Sequence, residues 1–489
     1  MTAQSAGPAR TPRARPALWA CLAAGFATLF DATVITYAAP AVSSSLGGST
    51  AGTQWLLASF SLTFGLGLIP SGRLGDVYGR RPLFLLGLGI FLVGGVAAVA
   101  APTIVVLVAA RFVQGLGAGV ISAQVLGVIQ DLFAGAARLR ALAAYTAVGG
   151  CAGVLGPVLA AVLLGAVGAD AAWRLVLLTP LPLVVAALVL GWRGMPAARH
   201  ARATRVWLDL PGIVLLCLIV VALTLPVVEP GLSGAAGIGV VVFAAGLAVV
   251  LVLWEHRYHR SGRLPLFAPA LVRSRGFVVG NIVALLWFGS GIAASSAVTL
   301  YFLQSPALSA LLIALVFAPG ALARVGGSLV SLPVVHRLGA SATVWIGLGL
   351  QTTLFAGLAI SAPLLPDGAL FVVAAAAQIG LGIGGGLVEP VVRASTLSFA
   401  PPELHGVAAS FLQLTQRLAA TFLVALAAGI LLTSTGVSTA ATLQTALATC
   451  ALGSLVAVLA SFDPAFRRAG AKDAVTPVRP VPVASAADA

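Results

Sequence analysis

Two long apolar runs of the chain are separated by the short polar stretch Gly72-Arg73-Leu74-Gly75-Asp76-Val77-Tyr78-Gly79-Arg80-Arg81-Pro82. Its three glycines allow the chain to reverse tightly. Arg80 and Arg81 suit the interface between a membrane and the cytoplasm. Asp76 follows the end of an apolar helix, where a carboxylate can accept hydrogen bonds from a neighbouring helix N-terminus or pair with an arginine. A basic connection alone would not need an acid bracketed by glycines, so the stretch predicts a specific contact between helices.

The composition predicts a protein that is embedded in a membrane. Of its 489 residues, 60% are hydrophobic and only 8% are charged. In a soluble domain about a quarter of the residues are charged. Nearly the whole chain divides into apolar spans of roughly 20 residues, the length of helix that crosses a bilayer. The spans lack the alternating pattern of a membrane barrel. Because lipid offers the backbone no hydrogen-bond partners, we predict an all-α integral membrane protein.

About fourteen spanning helices are expected from the 20-residue rule. They lie near 18–42, 55–72, 83–101, 103–129, 141–166, 172–192, 208–228, 234–254, 277–303, 307–332, 342–362, 367–395, 406–433 and 441–462. The longest polar segments flank the seventh and eighth helices. This spacing predicts a tail (1–17), a six-helix bundle (18–192), cytoplasmic loops with an inserted helix pair (193–276), a second six-helix bundle (277–462) and a disordered tail (463–489).

The basic residues predict the orientation of the chain. With both termini in the cytoplasm, 22 of the 27 Lys and Arg residues fall on the cytoplasmic side, and only Arg174 lies near the outer side. This distribution follows the positive-inside rule. It also accounts for the net charge of +14 through anionic lipid head groups, so we expect a lipid partner and no nucleic acid.

The sequence carries few candidates for catalysis or metal binding. Its four cysteines all lie inside apolar spans without metal-ligand spacing, so neither a disulfide framework nor a metal site is expected. The five histidines all fall in predicted cytoplasmic loops. No GxxxxGK[ST] loop for a nucleotide is present. We therefore expect no cofactor and no enzyme activity.

Four charged side chains inside the spans are more informative, since charge is costly in a membrane and usually functional there. Asp31 in the first helix and Arg111 in the fourth lie at comparable depth and could face one cavity. Glu389 and Arg393 are four residues apart, the spacing of an ion pair on one helix face. We favour a gating or structural role for this second pair, because it lies nearer the cytoplasmic end.

Four segments of the first half resemble the major facilitator superfamily. The stretch 72–82 resembles the signature loop of that family, and residues 111–119, RFVQGLGAG, resemble its buried-arginine motif. Residues 149–157, GGCAGVLGP, resemble the motif of its antiporters, and residues 29–40, LFDATVITYAAP, resemble a motif of the fourteen-helix drug:proton antiporters. Val77 departs from the pattern, since a basic residue is common there.

The resemblance implies the major facilitator fold and a proton-coupled exporter of drugs, antibiotics or secondary metabolites, working by alternating access as a monomer in a bacterial cell membrane. The partners implied are protons and a small-molecule substrate. The residues implied for proton coupling at the central cavity are Asp31, Arg111, Gln114 and Arg417. Those implied for gating are Asp76, Arg80, Arg81, Glu389 and Arg393. Those implied for a bend in the fifth helix are Gly149, Gly153, Gly156 and Pro157.

Several alternatives remain open from the residues alone. The glycines of the fifth helix are also explained by tight helix packing, and Asp31 with Arg111 by a permanent ion pair. A proton-coupled importer, a membrane-embedded enzyme and a channel are the competing functions. Arg111, Arg324 and Arg417 lie inside predicted spans and are expected near the cavity. They favour a neutral, zwitterionic or anionic substrate over a dication.

Overall fold

The computed structural model describes residues 14–48, 50–167, 169–196, 209–228, 235–261, 268–304, 308, 310–401, 404–431 and 439–467. Within these ranges the regular structure is helical throughout. The helices are α1 (Ala14–Ser45), α2 (Thr50–Tyr78), α3 (Arg80–Val99), α4 (Ile104–Leu132), α5 (Gly135–Val167), α6 (Ala169–Leu178), α7 (Leu181–Gly194), α8 (Leu210–Val228), α9 (Ala235–Arg260), α10 (Pro269–Val272), α11 (Arg275–Leu303), α12 (Ala310–Leu338), α13 (Ala340–Ser361), α14 (Asp367–Leu397), α15 (His405–Leu431) and α16 (Ala440–Ser461). Residues 1–13 and 468–489, most of the two predicted tails, lie outside the described part.

The described helices confirm an all-α membrane protein. Twelve spans are long and apolar enough to cross a bilayer. Helix α2 is bent by 41° between Trp55–Leu68 and Pro70–Tyr78, and it makes a thirteenth span when these two segments are counted as one. Helix α8 contains a shorter apolar segment, Pro211–Leu223. One span, Ala172–Gly194, comprises most of α6 and α7. The expected number of about fourteen helices is therefore close to the observed number.

The stretch around Asp76 differs from the predicted loop. Helix α2 continues to Tyr78, and α3 begins at Arg80, so Gly79 alone makes the reversal. Its φ of 92° lies in a region that favours glycine. Gly72 and Gly75 are helical, and they are needed for space rather than for turning. A Cβ on Gly72 would collide with Gly406 and Ser410, and one on Gly75 with Gln124.

The helices pack as two groups, α1 to α7 and α11 to α16, and the pair α8 and α9 lies between the groups in the chain. In the first group α1 contacts α5, α6 and α7, while α4 contacts α2 and α3. In the second, α11 contacts α15 and α16, and α14 contacts α12 and α13. The groups meet where α5 contacts α12 and α14 and where α15 contacts α2 and α4. Helix α8 packs on α9 and also touches both α2 and α15.

Large apolar side chains on the outside of the bundle fit a lipid environment. Val93, Val105, Leu329 and Val372 each expose more than half of their surface. In water such a surface would favour association, whereas the hydrocarbon region of a bilayer solvates it.

Helices α12 and α14 approach so closely that glycine is required between them. A Cβ on Gly327 of α12 would collide with the backbone oxygen of Ile383, and one on Gly382 of α14 with that of Gly320. Small residues at helix contacts allow such backbone approach in membranes. The neighbouring Gly326 has open space where its Cβ would be.

We expect Gly327→Ala to lower the thermal unfolding temperature of the detergent-solubilised protein by several degrees, because overpacking a tight contact costs about 1–3 kcal/mol. Gly326→Ala is the matched control, since alanine favours a helix by about 1 kcal/mol over glycine and meets nothing there. A thermal scan of both variants checks this. Equal unfolding temperatures would contradict the close approach.

Candidate functional site: a central cavity closed at one end

A cavity of about 820 Å³ lies between the two groups of helices. Its described walls come from α1, α2, α4 and α5 on one side and from α11 to α15 on the other. Aromatic rings form much of the surface: Phe64, Tyr145, Trp287, Phe288, Phe317 and Phe355. This volume lies within the range of pockets that enclose drug-sized molecules.

Asp31, Arg111 and Gln114 form one hydrogen-bonded cluster between α1 and α4. Arg111 Nη1 donates to Asp31 Oδ2 at 2.6 Å and to Gln114 Oε1 at 2.8 Å. Gln114 Nε2 donates to Asp31 Oδ1 at 3.0 Å. The three side chains are almost inaccessible to solvent, and the Arg111 guanidinium lies 4.4 Å from the centre of the Phe60 ring. The cluster therefore balances its own charge inside the first group of helices.

This cluster lies beside the cavity rather than in its wall. Among the described lining residues, α1 contributes Thr28 and Leu29, just before Asp31 in the chain, and then Tyr37. The sequence prediction placed Asp31, Arg111 and Gln114 in the central cavity. The structure turns them inward instead, where carboxylate, guanidinium and amide are hydrogen-bonded to one another.

The cavity wall holds a second group of charges around Glu389. Glu389 Oε2 accepts a hydrogen bond from Arg324 Nη2 of α12 at 2.5 Å, and its Oε1 lies 2.6 Å from Arg393 Nη2, one turn further along α14. These residues lie in the last third of α14, and they line the cavity because the α14 face that carries them turns towards α12. Arg417 of α15 also lines the cavity, with its guanidinium 4.1 Å from the centre of the Phe64 ring.

Asp76 joins the two groups at one end of the bundle, which we call the Asp76 end. Its Oδ1 accepts a hydrogen bond from the backbone N–H of Gly406 at 2.9 Å, and its Oδ2 accepts one from Val407 at 3.1 Å. Both amides belong to the first turn of α15, where backbone N–H groups have no partner within the helix and carry the positive end of its dipole. Arg80, the first residue of α3, pairs with Asp76 across the reversal at Gly79.

Arg80 also connects Asp76 to Asp131. Its Nε donates to Asp131 Oδ2 at 2.9 Å, and His405 Nδ1 lies 3.0 Å from Asp131 Oδ1. Arg138, which is nearer to Asp131 in the chain, donates instead to the backbone oxygens of residues 130 and 133.

Arg81 takes no part in this contact between the two groups. Its Nη2 donates to the backbone oxygen of Trp192 at 2.6 Å, and its guanidinium lies 5.3 Å from the centre of the Trp192 ring. Both residues belong to the first group of helices. The gating role predicted for Arg81 therefore lacks a contact that opening would break, because the side chain points away from α15.

The sequence reasoning missed a second contact between the groups, deeper in the bundle. Ser122 Oγ donates to Gln413 Oε1, and Gln413 Nε2 donates to the backbone oxygen of Ser122 at 3.1 Å. Both side chains line the cavity and form its floor towards the Asp76 end. In the sequence, a polar residue inside an apolar span was the one feature that could have indicated this contact. The lining reaches the opposite end through Tyr37, Thr299 and Ile313.

The glycines of the antiporter-like segment serve two purposes. Gly149 and Gly153 line the cavity; a Cβ on Gly149 would press on Leu29 at 3.3 Å, and one on Gly153 would lie 4.0 Å from Ala321. A Cβ on Gly156 would collide with Thr33, and Thr33 Oγ1 donates to the backbone oxygen of Ala152 at 3.2 Å. Helix α5 runs unbroken through Pro157. The segment thus keeps one face open to the cavity and binds α1 on another.

Comparison with known proteins gives this architecture a family. The chain is 33% identical over 446 residues to the cephamycin export protein CmcT of Amycolatopsis lactamdurans, covering 88% of this chain and 87% of that protein. It is 29% identical over 426 residues to a methylenomycin A resistance protein of Streptomyces coelicolor, covering 85% of each.

Solved structures show the same fold. The proton:xylose symporter XylE superposes with a TM-score of 0.66 at 13% identity, covering 92% of this chain and 95% of that one. The human organic anion transporter MFSD10 gives 0.63 at 16% identity, covering 93% and 100%. Residues 21–424 match the Major Facilitator Superfamily. The chain therefore belongs to that superfamily, as a multi-pass membrane transporter of small molecules rather than an enzyme.

Proposed function

We propose that this protein is a proton-coupled exporter that exchanges protons for drugs, antibiotics or secondary metabolites. The observation that carries the proposal is the similarity to an export protein over almost the full length of both chains. The geometry supports it with a drug-sized cavity between two helix groups and a buried carboxylate, Asp31, beside that cavity.

The cavity geometry supports alternating access. The contacts of Asp76 and of Ser122 hold the two helix groups together on one side of the cavity, while the lining continues towards the other. Rocking of the groups about a central site would open the Asp76 end and close the opposite end. The Asp76 residue then acts as a gate that must release α15 in each cycle.

Asp31 is the proposed proton carrier. Protonation would remove its negative charge and weaken its bond to Arg111, so a buried guanidinium would need another partner. Thr33, two residues further along α1, is bonded to the backbone of α5. A change at Asp31 therefore has a direct route to the segment 149–157 that faces the cavity.

The proposal includes the expected placement of the chain. We propose that it acts as a monomer in a bacterial cell membrane, with both termini in the cytoplasm. We also propose that residues 18–192 and 277–462 are the two moving bundles and that 193–276 carries the inserted pair. Helices α8 and α9 fall within that last segment.

Everted membrane vesicles test the direction and the coupling. When respiration acidifies the lumen, an antiporter releases protons outward and accumulates substrate inside, so we expect uptake of compounds from a panel of labelled antibiotics. A protonophore should abolish the uptake. Accumulation only in right-side-out vesicles with an acidic exterior would identify an importer and overturn the proposal.

A further inference from the structure

The charge on the cavity wall is strongly unbalanced. Among the described lining residues, the groups charged at neutral pH are Arg324, Arg393, Arg417 and Glu389, which gives a net charge of +2. The carboxylate of Glu389 is already shared between Arg324 and Arg393. The ion pair of Asp31 and Arg111 is neutral as a unit, so it does not offset this charge.

Several buried donors in the same wall are left without an acceptor. Within the described part of the chain, Arg393 Nε and Nη1 and Gln416 Nε2 have no hydrogen-bond partner, and neither does Thr146 Oγ1. All three side chains belong to residues that are more than nine-tenths buried and that line the cavity. Buried polar groups are normally satisfied, so a cluster of unsatisfied donors points to an acceptor supplied by a ligand.

Arg393 and Arg417 are close enough to repel each other electrostatically. Aromatic rings hold both guanidiniums in place. The Arg393 guanidinium lies 5.5 Å from the centre of the Tyr145 ring, and that of Arg417 lies 4.1 Å from the Phe64 ring centre. An oxyanion between two fixed guanidiniums would relieve their repulsion and accept strong, charge-assisted hydrogen bonds.

The rest of the wall favours an apolar body on the ligand. The apolar rings Trp287, Phe288, Phe317 and Phe355 face the same cavity, and most pockets for organic ligands combine such surfaces with a few polar groups that fix orientation. An inorganic ion would leave these rings unused. Among the described lining residues, a cation would meet three arginines and one acid.

We propose that the cavity binds an aromatic organic anion, with its carboxylate between Arg393 and Arg417 and its apolar body against the ring-lined wall. This inference rests on the proposed function, since it names the substrate class of the exporter. Gln416 and Thr146 complete the carboxylate site as neutral donors.

Equilibrium binding to the full-length protein in lipid nanodiscs tests the charge preference. The probes are 1-naphthoate and its uncharged analogue of similar shape, 1-naphthamide, measured by calorimetry. We expect the carboxylate to bind at least tenfold more tightly than the amide. Arg417→Gln and Arg393→Gln should each remove that preference while changing the affinity for the amide less than twofold.

Two further variants keep the outcome interpretable. Arg174→Gln is the control, because Arg174 bonds the backbone of Val99 away from the cavity and should leave both affinities unchanged. Gln416→Glu adds a carboxylate beside the arginines without removing a charge, so it should fold even where Arg393→Gln does not. We expect it to weaken naphthoate binding at least tenfold.

Equal affinities of the two probes for the unmodified protein, or an undiminished carboxylate preference in Arg417→Gln or Gln416→Glu, would overturn the anion site. These measurements need no pH gradient, so they are independent of the vesicle experiment. If everted vesicles take up substrate but the two probes bind equally well, the protein is an exporter and the proposed anion site is wrong. If the vesicles show import and the carboxylate binds more tightly, the anion site is right and the proposed direction of transport is wrong.

Discussion

Asp31→Asn is expected to reduce proton-driven substrate accumulation in everted vesicles to the background level. The amide cannot release a proton, so the pH gradient loses its coupling group. Exchange of labelled for unlabelled substrate, without a gradient, should persist because the described cavity lining does not include Asp31. Counterflow measured beside gradient-driven uptake separates these two effects.

The variant also leaves Arg111 without its carboxylate, and removal of one partner from a buried pair costs about 3–5 kcal/mol. A loss of activity could then reflect a loss of folded protein. The double variant Asp31→Asn with Arg111→Gln removes both charges, so it should recover thermal stability but not gradient-driven uptake. Full uptake by the double variant would show that the pair only holds α1 to α4.

Asp76→Asn is expected to shift the protein away from the conformation in which the Asp76 end is closed. The carboxylate accepts two backbone N–H groups of α15 through two oxygens, whereas an amide offers one neutral oxygen. Hydrogen bonds to charged groups contribute about 1.5–3 kcal/mol each. A loss of that size changes the ratio of closed to open molecules roughly 10- to 100-fold, since each 1.4 kcal/mol is tenfold.

Spin labels placed at Tyr78 and Leu338 can measure this shift. Both side chains are exposed, and they end α2 and α12, which belong to different helix groups. The distribution of distances between the labels should gain a longer component in Asp76→Asn. Arg81→Gln is the matched control, because Arg81 bonds Trp192 within its own group. An unchanged distribution in Asp76→Asn would refute the gate.

Hydropathy and charge were sufficient to predict the membrane fold, because span length and loop charge are properties of local sequence. They also gave the depth of Asp31 and Arg111, and the structure pairs these two residues. The depth of a residue in the membrane does not determine which way its side chain faces around the helix axis. Whether Asp31 faces the cavity or the interior of its own bundle depends on how α1 packs, and the expectation of a cavity position was wrong for that reason.

Contacts between distant segments were beyond sequence reasoning. Asp131 lies 3.0 Å from His405, 274 residues away, and no local spacing indicates such a partner. The Ser122–Gln413 contact joins two helices across the cavity, and neither residue belongs to a motif. Spacing along one helix was more reliable, since Glu389 and Arg393 form the ion pair expected from their separation of four residues.

The position of α8 has a consequence for the speed of transport. This helix touches α2 of one helix group and α15 of the other, on the side where Arg73 interacts electrostatically with Asp209 and Glu255 of the inserted pair. In the proposed cycle the Asp76 end opens, and we expect α8 to lose its contact with either α2 or α15 at that step. Breaking and restoring this contact in each turnover would add to the activation barrier and leave the affinity for substrate unchanged. We therefore expect the inserted pair to slow transport without changing substrate binding.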